Sequence, residues 1–558
     1  MRKKLSRSRV LKKKLNLKDL PDSSKKFIII QVDALSYTLL KKHKEKYMPF
    51  LNKYLKSNHL EAYSSGYPSN TCFTQSGILY GENFNIPSFR FLDKKTKTKI
   101  SLGRAQSANF IEKEILEKNK LGILKGGTSI SNTFSGSADR CIFTSSHLYK
   151  TKGGPKKLKD LFLIILLNPA STIRVIFFSL IEFITEILES TKEVFTSIIK
   201  KKHFNWPFTY PYFPFARTIV NATLREISTK TALLEINRNV PFIYINYLGY
   251  DLISHYRGPE RLSCLEVLKH LDFEIKKLVN KAKSKKYDIY ILSDHGQIPS
   301  LPFLKLYNET LEDFLKKATN LSTKSFTLND SEKTSSSEFI YKKLKYIYRD
   351  LSLPLRALTW GLIEVLKFSF KKQEKKDPSV DWSKKEQLMV FKASSLSQIY
   401  FNYTDKRMEL DEIEKKHPFL IPRIVNHPGI GFIIIKNKKN FEVISNVGKV
   451  IITPTSVKYI GERFLDKYST DKKLIKQIRN FASLKHSGDI IINGDYDGKR
   501  VISFEDYHFG SHNSLGGKQS EAFFISKEKI KLDHILDARA LYKIFIRYHK
   551  EKLYKSNK

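Results

Sequence analysis

Phe27-Ile-Ile-Ile-Gln-Val-Asp33 is an apolar, β-branched run of strand length that stops at a carboxylate. A strand buried on both faces reads this way, as continuous apolar sequence rather than alternation. Two later stretches repeat the pattern. Phe242-Ile-Tyr-Ile-Asn-Tyr247 runs into Leu248-Gly-Tyr-Asp-Leu-Ile-Ser-His255, and Asp288-Ile-Tyr-Ile-Leu292 runs into Ser293-Asp-His295. Phe509-Gly-Ser-His512 adds a further imidazole. In open α/β sheets the ligand sits beyond the carboxyl ends of the strands. The expectation is therefore an α/β fold with a central, mostly parallel sheet flanked by helices. Three carboxylates and three imidazoles then meet at one sheet edge. Such groups repel, or are costly to desolvate, unless divalent cations neutralise them.

Asp294 and His295 are adjacent just past a strand, so both can turn toward one cation. Asp251 and His255 are four apart, which puts them on one face of a helix. His512 lies in Gly510-Ser-His-Asn-Ser-Leu-Gly-Gly517, a glycine-rich loop whose backbone can approach a ligand closely. Each pair alone is a weak signal, and their joint presence in this order is the strong one. Tyr67-Pro-Ser-Asn-Thr-Cys-Phe-Thr-Gln-Ser-Gly77 supplies several hydroxyls just before an apparent helix start. A helix N-terminus favours an anion, and a hydroxyl held against a divalent cation becomes a nucleophile. The competing role for each Ser or Thr is simple N-capping.

These motifs resemble the alkaline phosphatase superfamily, and within it the type I phosphodiesterase/nucleotide pyrophosphatase branch. The family's Val-Asp-Gly strand end is matched by Val32-Asp33-Ala34, and its Met-Pro-x-Leu helix by Met48-Pro49-Phe50-Leu51. Its Pro-Thr-x-Thr motif corresponds to Pro68-Ser69-Asn70-Thr71, and its Asp-x-x-Gly-His motif to Asp251 through His255. Ser293-Asp294-His295-Gly296 is verbatim, and Gly510-Ser511-His512-Asn513 is close to the late Gly-x-His-Gly. The resemblance implies an alkaline phosphatase-like core with Thr71 as nucleophile. It implies one metal on Asp33, Thr71, Asp294 and His295, and a second on Asp251, His255 and His512. The family's Pro and Asn after the nucleophile are replaced by Phe73 and Thr74, which leaves Thr74 and Gln75 as candidate substrate contacts. Cys72-Phe73-Thr74-Gln75-Ser76 lacks the Pro and Arg of a sulfatase. The implied cofactors are two divalent ions, zinc by the Asp/His ligand set, with manganese as the alternative. The implied activity is phosphodiesterase hydrolysis through a phospho-threonine. Alternatives are a phosphotransferase acting on lipid or glycan headgroups and, in another class, a non-catalytic polyanion-binding module.

The chain has 558 residues, with 99 Lys plus Arg against 56 Asp plus Glu, a formal charge of +43. That excess suits a phosphorylated substrate or peripheral contact with an anionic membrane. Nucleic acid is expected only as substrate. A Lys-, Ile- and Asn-rich composition gives the same excess without any partner. Oligomeric state is not legible. Three cysteines without CxxC spacing fit a reducing compartment, and neither a signal peptide nor a clear transmembrane helix stands out. A cytoplasmic protein, in part peripheral to a membrane, is the expectation.

The expected organisation is a basic disordered tail (1–26), then the first part of the core (27–320) with a helical insert at about 155–215. A linker and basic amphipathic insert (321–385) follows, then the second part of the core (386–548) and a basic tail (549–558). Gly103 to Lys150 reads as loops with short strands. Val175 to Ile199 reads as an amphipathic helix whose polar stripe is Ser179, Glu182, Glu186, Glu189 and Glu193. Its acidity argues against an anionic membrane and for packing on the core or a partner helix. Phe339 to Lys372, basic around Trp360 and split by Pro354, is a candidate interfacial segment.

Overall fold

The structure is a computed structural model that describes residues 17–21, 25–118, 120–148, 169–199, 213–319, 321–326 and 387–556. The expected sheet is present. Its seven strands run in the order His59–Ser64, Glu521–Ser526, Asp288–Leu292, Phe27–Val32, Phe242–Tyr247, Thr128–Ile130 and Arg140–Ile142. Phe27–Val32 pairs in parallel with Phe242–Tyr247 and with Asp288–Leu292, and Glu521–Ser526 is antiparallel to both its neighbours. Six of the seven strands therefore point one way, and the Asp- and His-bearing ends share an edge.

Both faces of the sheet are covered, which is why the strand text is uninterrupted apolar sequence. Phe27 and Ile29 enter one core, while Ile28, Ile30 and Val32 enter the other. Each fully buried side chain of this size contributes about 1.5–3 kcal/mol. Leu262–Ser284 is the crossover helix that returns the chain from Phe242–Tyr247 to Asp288–Leu292, as right-handed parallel connections require.

The chain departs from the sequence reading in several places. Most of the strands after residue 386 lie outside the central sheet. Seven of them, from Gln387–Ala393 to Ile490–Gly494, join Ser322–Phe326 in a second sheet of eight strands, antiparallel except where Ser322–Phe326 pairs in parallel with Gln387–Ala393. Only Glu521–Ser526 rejoins the first sheet. Ser322–Phe326 is thus a strand, and the insert expected from residue 321 begins after it. Met389 and Phe391 share a core with Phe27 and Ile29, while Leu388 and Val390 face a third core. The second sheet is therefore packed onto the first rather than standing apart.

Ala105–Glu117 is a helix, not loop, because Ala108, Ile111 and Ile115 recur at helical spacing and are buried. Arg539–Ser556 runs as one helix through the expected boundary at 549. Within the expected tail, Leu20 donates to the Arg238 carbonyl, and the Arg238 guanidinium donates to the Lys18 carbonyl. The Phe339–Lys372 segment and the ends of the first insert lie outside the described residues.

The first insert contains the helix Pro169–Ile199, turned the opposite way from an ordinary surface helix. Its acidic stripe faces inward. Glu182 and Glu186 are buried and, with Glu189, bind Arg217 at 2.7, 2.9 and 3.0 Å. Arg257 also pairs with Glu186 and Glu189.

Candidate active site

Each expected ligand stands where a strand or helix ends. Asp33 follows Phe27–Val32, and Asp294 and His295 follow Asp288–Leu292. Asp251 and His255 lie one turn apart on the helix Gly249–Arg257. His512 follows the short strand Gly510–Ser511, held against Ile298–Pro302. Close approach fixes two glycines. A Cβ on Gly510 would stand 2.2 Å from the Ser254 carbonyl oxygen, and one on Gly296 2.1 Å from that of Lys518.

Thr71 opens the helix Thr71–Tyr80, which is capped by the Asn70 side chain accepting from the Phe73 amide and closed by Gly81 at φ 67°. The Thr71 hydroxyl lies 3.3 Å from Asp33 Oδ1 and 3.1 Å from His295 Nε2. His295 Nε2 is 3.3 Å from Asp294 Oδ2 and 3.7 Å from Asp33 Oδ1. Beside this group, His255 Nε2 is 3.4 Å from Asp251 Oδ1 and 3.2 Å from His512 Nε2. The seven residues expected as ligands or nucleophile thus converge. Ligand atoms of Asp33, Asp294 and His295 lie within 4.8 Å of one another, as do those of Asp251, His295 and His512. His295 therefore sits between the two groups.

The electrostatics of this cluster are unfavourable for protein atoms alone. Burial, with the neighbouring Asp294 carboxylate, pushes Asp33 up to about 8. Burial raises Asp294 to about 6 and lowers His255 to about 4. It also holds His295 and His512 below the ordinary imidazole range, with neighbouring histidines adding to the effect at His512. Asp294 Oδ2 is buried without a hydrogen-bond donor. Each imidazole directs Nδ1 at a backbone carbonyl: His255 at Gly510 (3.0 Å), His295 at Gly296 (3.0 Å) and His512 at Ser69 (2.8 Å). A carbonyl only accepts, so Nδ1 carries the proton and each Nε2 offers its lone pair to the cluster. An acceptor-only carboxylate pair with three oriented Nε2 atoms fits divalent cations.

The two residues expected to touch substrate follow Thr71 on its helix. Thr74 and Gln75 are fully buried. The Gln75 amide donates to Gln31 and Asn132 and accepts from the Thr133 backbone. Gln75 instead belongs to a polar layer beneath Asp33. In that layer Asn246 donates to Asp33 Oδ2 at 2.7 Å, and Tyr244 donates to Gln31 at 2.6 Å. Gln31 and Asn246 are register partners on adjacent strands. Sequence reading passed over both. Their signal was present as single amides inside otherwise apolar strands.

Also missed were Gln297, which donates to Asp251 Oδ1 at 3.0 Å, and His508, buried with its ring 4.3 Å from that of His255. The side chains of Asp251, His255 and His512 remain 22, 12 and 12 % exposed, whereas those of Asp33, Asp294 and His295 are closed off. Access to the cluster is from the Asp251 side.

A family model described as type I phosphodiesterase / nucleotide pyrophosphatase matches residues 27–352, more than half of the chain. Among solved structures, a mutant of the alkaline phosphatase PafA aligns at a TM-score of 0.51 and 12% identity, covering 95% of this chain and 96% of that one. Wild-type PafA aligns at 0.49 and 12%, covering 95% and 97%. An inactive murine ectonucleotide pyrophosphatase / phosphodiesterase 5 in complex with AMP aligns at 0.43 and 9%, covering 94% and 95%. The first likeness establishes a shared fold. No curated protein matches the chain.

Proposed function

The chain belongs to the type I phosphodiesterase / nucleotide pyrophosphatase family, and from that premise we propose that it hydrolyses phosphate diesters with Thr71 as nucleophile. One observation carries the reading. The Thr71 hydroxyl stands at a helix N-terminus within 3.3 Å of Asp33 and 3.1 Å of His295, beside the Asp251, His255 and His512 group. Thr71 Oγ1 forms a bond to phosphorus as the bond to the leaving oxygen breaks on the opposite side, and that oxygen takes a proton from solvent to depart as the alcohol. The threonine proton passes to solvent on the open side. Water then cleaves the phospho-threonine and restores the hydroxyl.

Asp33, Asp294 and His295, with Thr71, would hold one divalent ion, and Asp251, His255 and His512 a second. Bound there, zinc, or manganese in its place, supplies positive charge to the attacking and leaving oxygens and eases loss of the hydroxyl proton. Asn246 and Gln297 orient the carboxylates, and the three backbone carbonyls orient the imidazoles. The helix N-terminus at Thr71 favours the phosphate anion.

Turnover of bis-p-nitrophenyl phosphate against p-nitrophenyl phosphate by metal-loaded protein tests this reading. The diester is expected to be the better substrate. Thr71→Ala is expected to lose about a thousandfold or more in kcat while keeping its metal. A preference for the monoester would reject the diesterase assignment. Near-normal turnover by Thr71→Ala would reject the nucleophile.

A further inference from the structure

The inverted helix Pro169–Ile199 leaves an apolar stripe facing outward. Ile173, Ile176, Phe177, Leu180, Ile181, Ile184, Ile187, Leu188, Phe195 and Ile199 follow the helical repeat, and Ile173, Leu188 and Ile199 are 66, 64 and 77 % exposed. Among the described residues, Lys192 is the one charged exposed position on this helix. Single exposed apolar residues are ordinary, but a continuous stripe of this length marks a surface that meets another apolar phase.

We propose that this helix lies in the surface of an anionic lipid bilayer, its stripe among the acyl chains and its axis along the membrane plane. At 1.5 Å per residue the helix is about 45 Å long, enough for a one-helix-wide interfacial anchor. Charge identifies the occupant. In sequence the stripe is flanked by Lys156, Lys157 and Lys159 on one side and by Lys200, Lys201 and Lys202, with Trp206 beyond, on the other. Basic runs on both sides of an apolar helix in sequence suit anionic headgroups, and a net charge of +43 adds long-range attraction. A second copy of the chain fits less well. Two chains that each carry a net charge of +43 repel one another at long range.

The acidic residues of the helix do not oppose this seating. Glu182 and Glu186 are buried on the protein side and neutralised by Arg217 and Arg257. Among the described residues no helix is long and apolar enough to cross a membrane, so the contact is interfacial. Arg257 is the last residue of the helix that carries Asp251 and His255. The anchor is therefore clamped directly to the candidate active-site helix.

Vesicle flotation of the full chain tests the proposal. Wild-type protein is expected to float with phosphatidylglycerol-containing vesicles and less with pure phosphatidylcholine. The triple variant Phe177→Asn, Leu180→Asn, Ile184→Asn is expected to bind roughly tenfold or more weakly, with unchanged melting temperature and soluble-diester turnover. Wild-type-like flotation of the variant overturns the proposal. So does a dimer in sedimentation velocity that the variant splits without losing vesicle binding.

Leu180→Trp, which keeps the stripe apolar, gives a second readout should the triple variant fail to fold. Brominated phospholipid is expected to quench the added fluorescence, over the wild-type background, at position 180. It is not expected to quench the added fluorescence of Phe419→Trp, an exposed control. Absence of quenching at position 180 rejects the bilayer contact.

Discussion

At the scale of single residues, the proposed ligands do not hold themselves in place. Asp33 is a buried carboxylate beside another, and its Oδ2 accepts from Asn246 at 2.7 Å. Outer partners of this kind typically change metal affinity or activity by about 10–100-fold. Asn246→Ala is expected to weaken metal binding by about that factor, with turnover restored by excess metal. A titration of activity against free metal separates this from a change in kcat at saturation, which would place Asn246 in the chemistry itself.

Asn513 shows how a departure from a family motif is accommodated. It stands at φ 89°, a conformation that favours glycine, and glycine is what the motif carries there. Its side chain accepts from Asn70, donates to the Ala393 carbonyl, and so ties the His512 loop to the cap of the nucleophile helix.

At the scale of elements, the helix Pro169–Ile199 decides how the first insert is joined to the core. Arg217 is buried among Glu182, Glu186 and Glu189. Removing one partner from a buried ionic group strands charge and costs about 3–5 kcal/mol. Arg217→Met is expected to destabilise the protein by about that amount in denaturant melts, well above a surface substitution. A change below about 1 kcal/mol would show that Arg257 alone neutralises the stripe.

The periodicity of this helix was legible, but its orientation was not. An acidic stripe reads as solvent-facing until the arginines that bury it are known. Those arginines, Arg217 and Arg257, lie in other segments of the chain, and pairing at such separation leaves no periodic trace.

At the scale of the whole molecule, two sheets share one core, and residues 327–386 link the neighbouring strands Ser322–Phe326 and Gln387–Ala393 of the second. Phe326 and Gln387 belong to parallel partners, so any connection must cross the sheet. Parallel neighbours need about a dozen residues or more for that return. Replacing residues 327–386 by a flexible linker of about that length is expected to leave folding and soluble-diester turnover intact. Insoluble protein would place the segment in the core. A cut beginning at residue 321 removes the strand Ser322–Phe326 and is expected to unfold the edge of the second sheet.

Metal is expected to be part of the stability of the whole. Chelation should lower the melting temperature, since a ligand at roughly a thousandfold over its dissociation constant contributes about 4 kcal/mol by linkage. Recovery with zinc rather than manganese, or the reverse, identifies the ion. An unchanged melt, with no metal found by elemental analysis, would reject the two-ion reading.

The central sheet and the residues gathered at its edge were legible in the local text of the chain. Buried parallel strands are continuous apolar text, and each proposed ligand lies within a few residues of a strand or helix end, so local spacing carries the information. Tertiary structure alone decided the second sheet, the inward acidic stripe, and the burial of Thr74 and Gln75. These depend on partners tens of residues away in other segments, such as Arg217 and Arg257 on Glu186 and Asn132 on Gln75. Burial and long-range pairing are properties of the packed chain. A helical repeat or a strand run fixes which residues share a face, and only packing fixes whether that face meets protein, solvent or another phase.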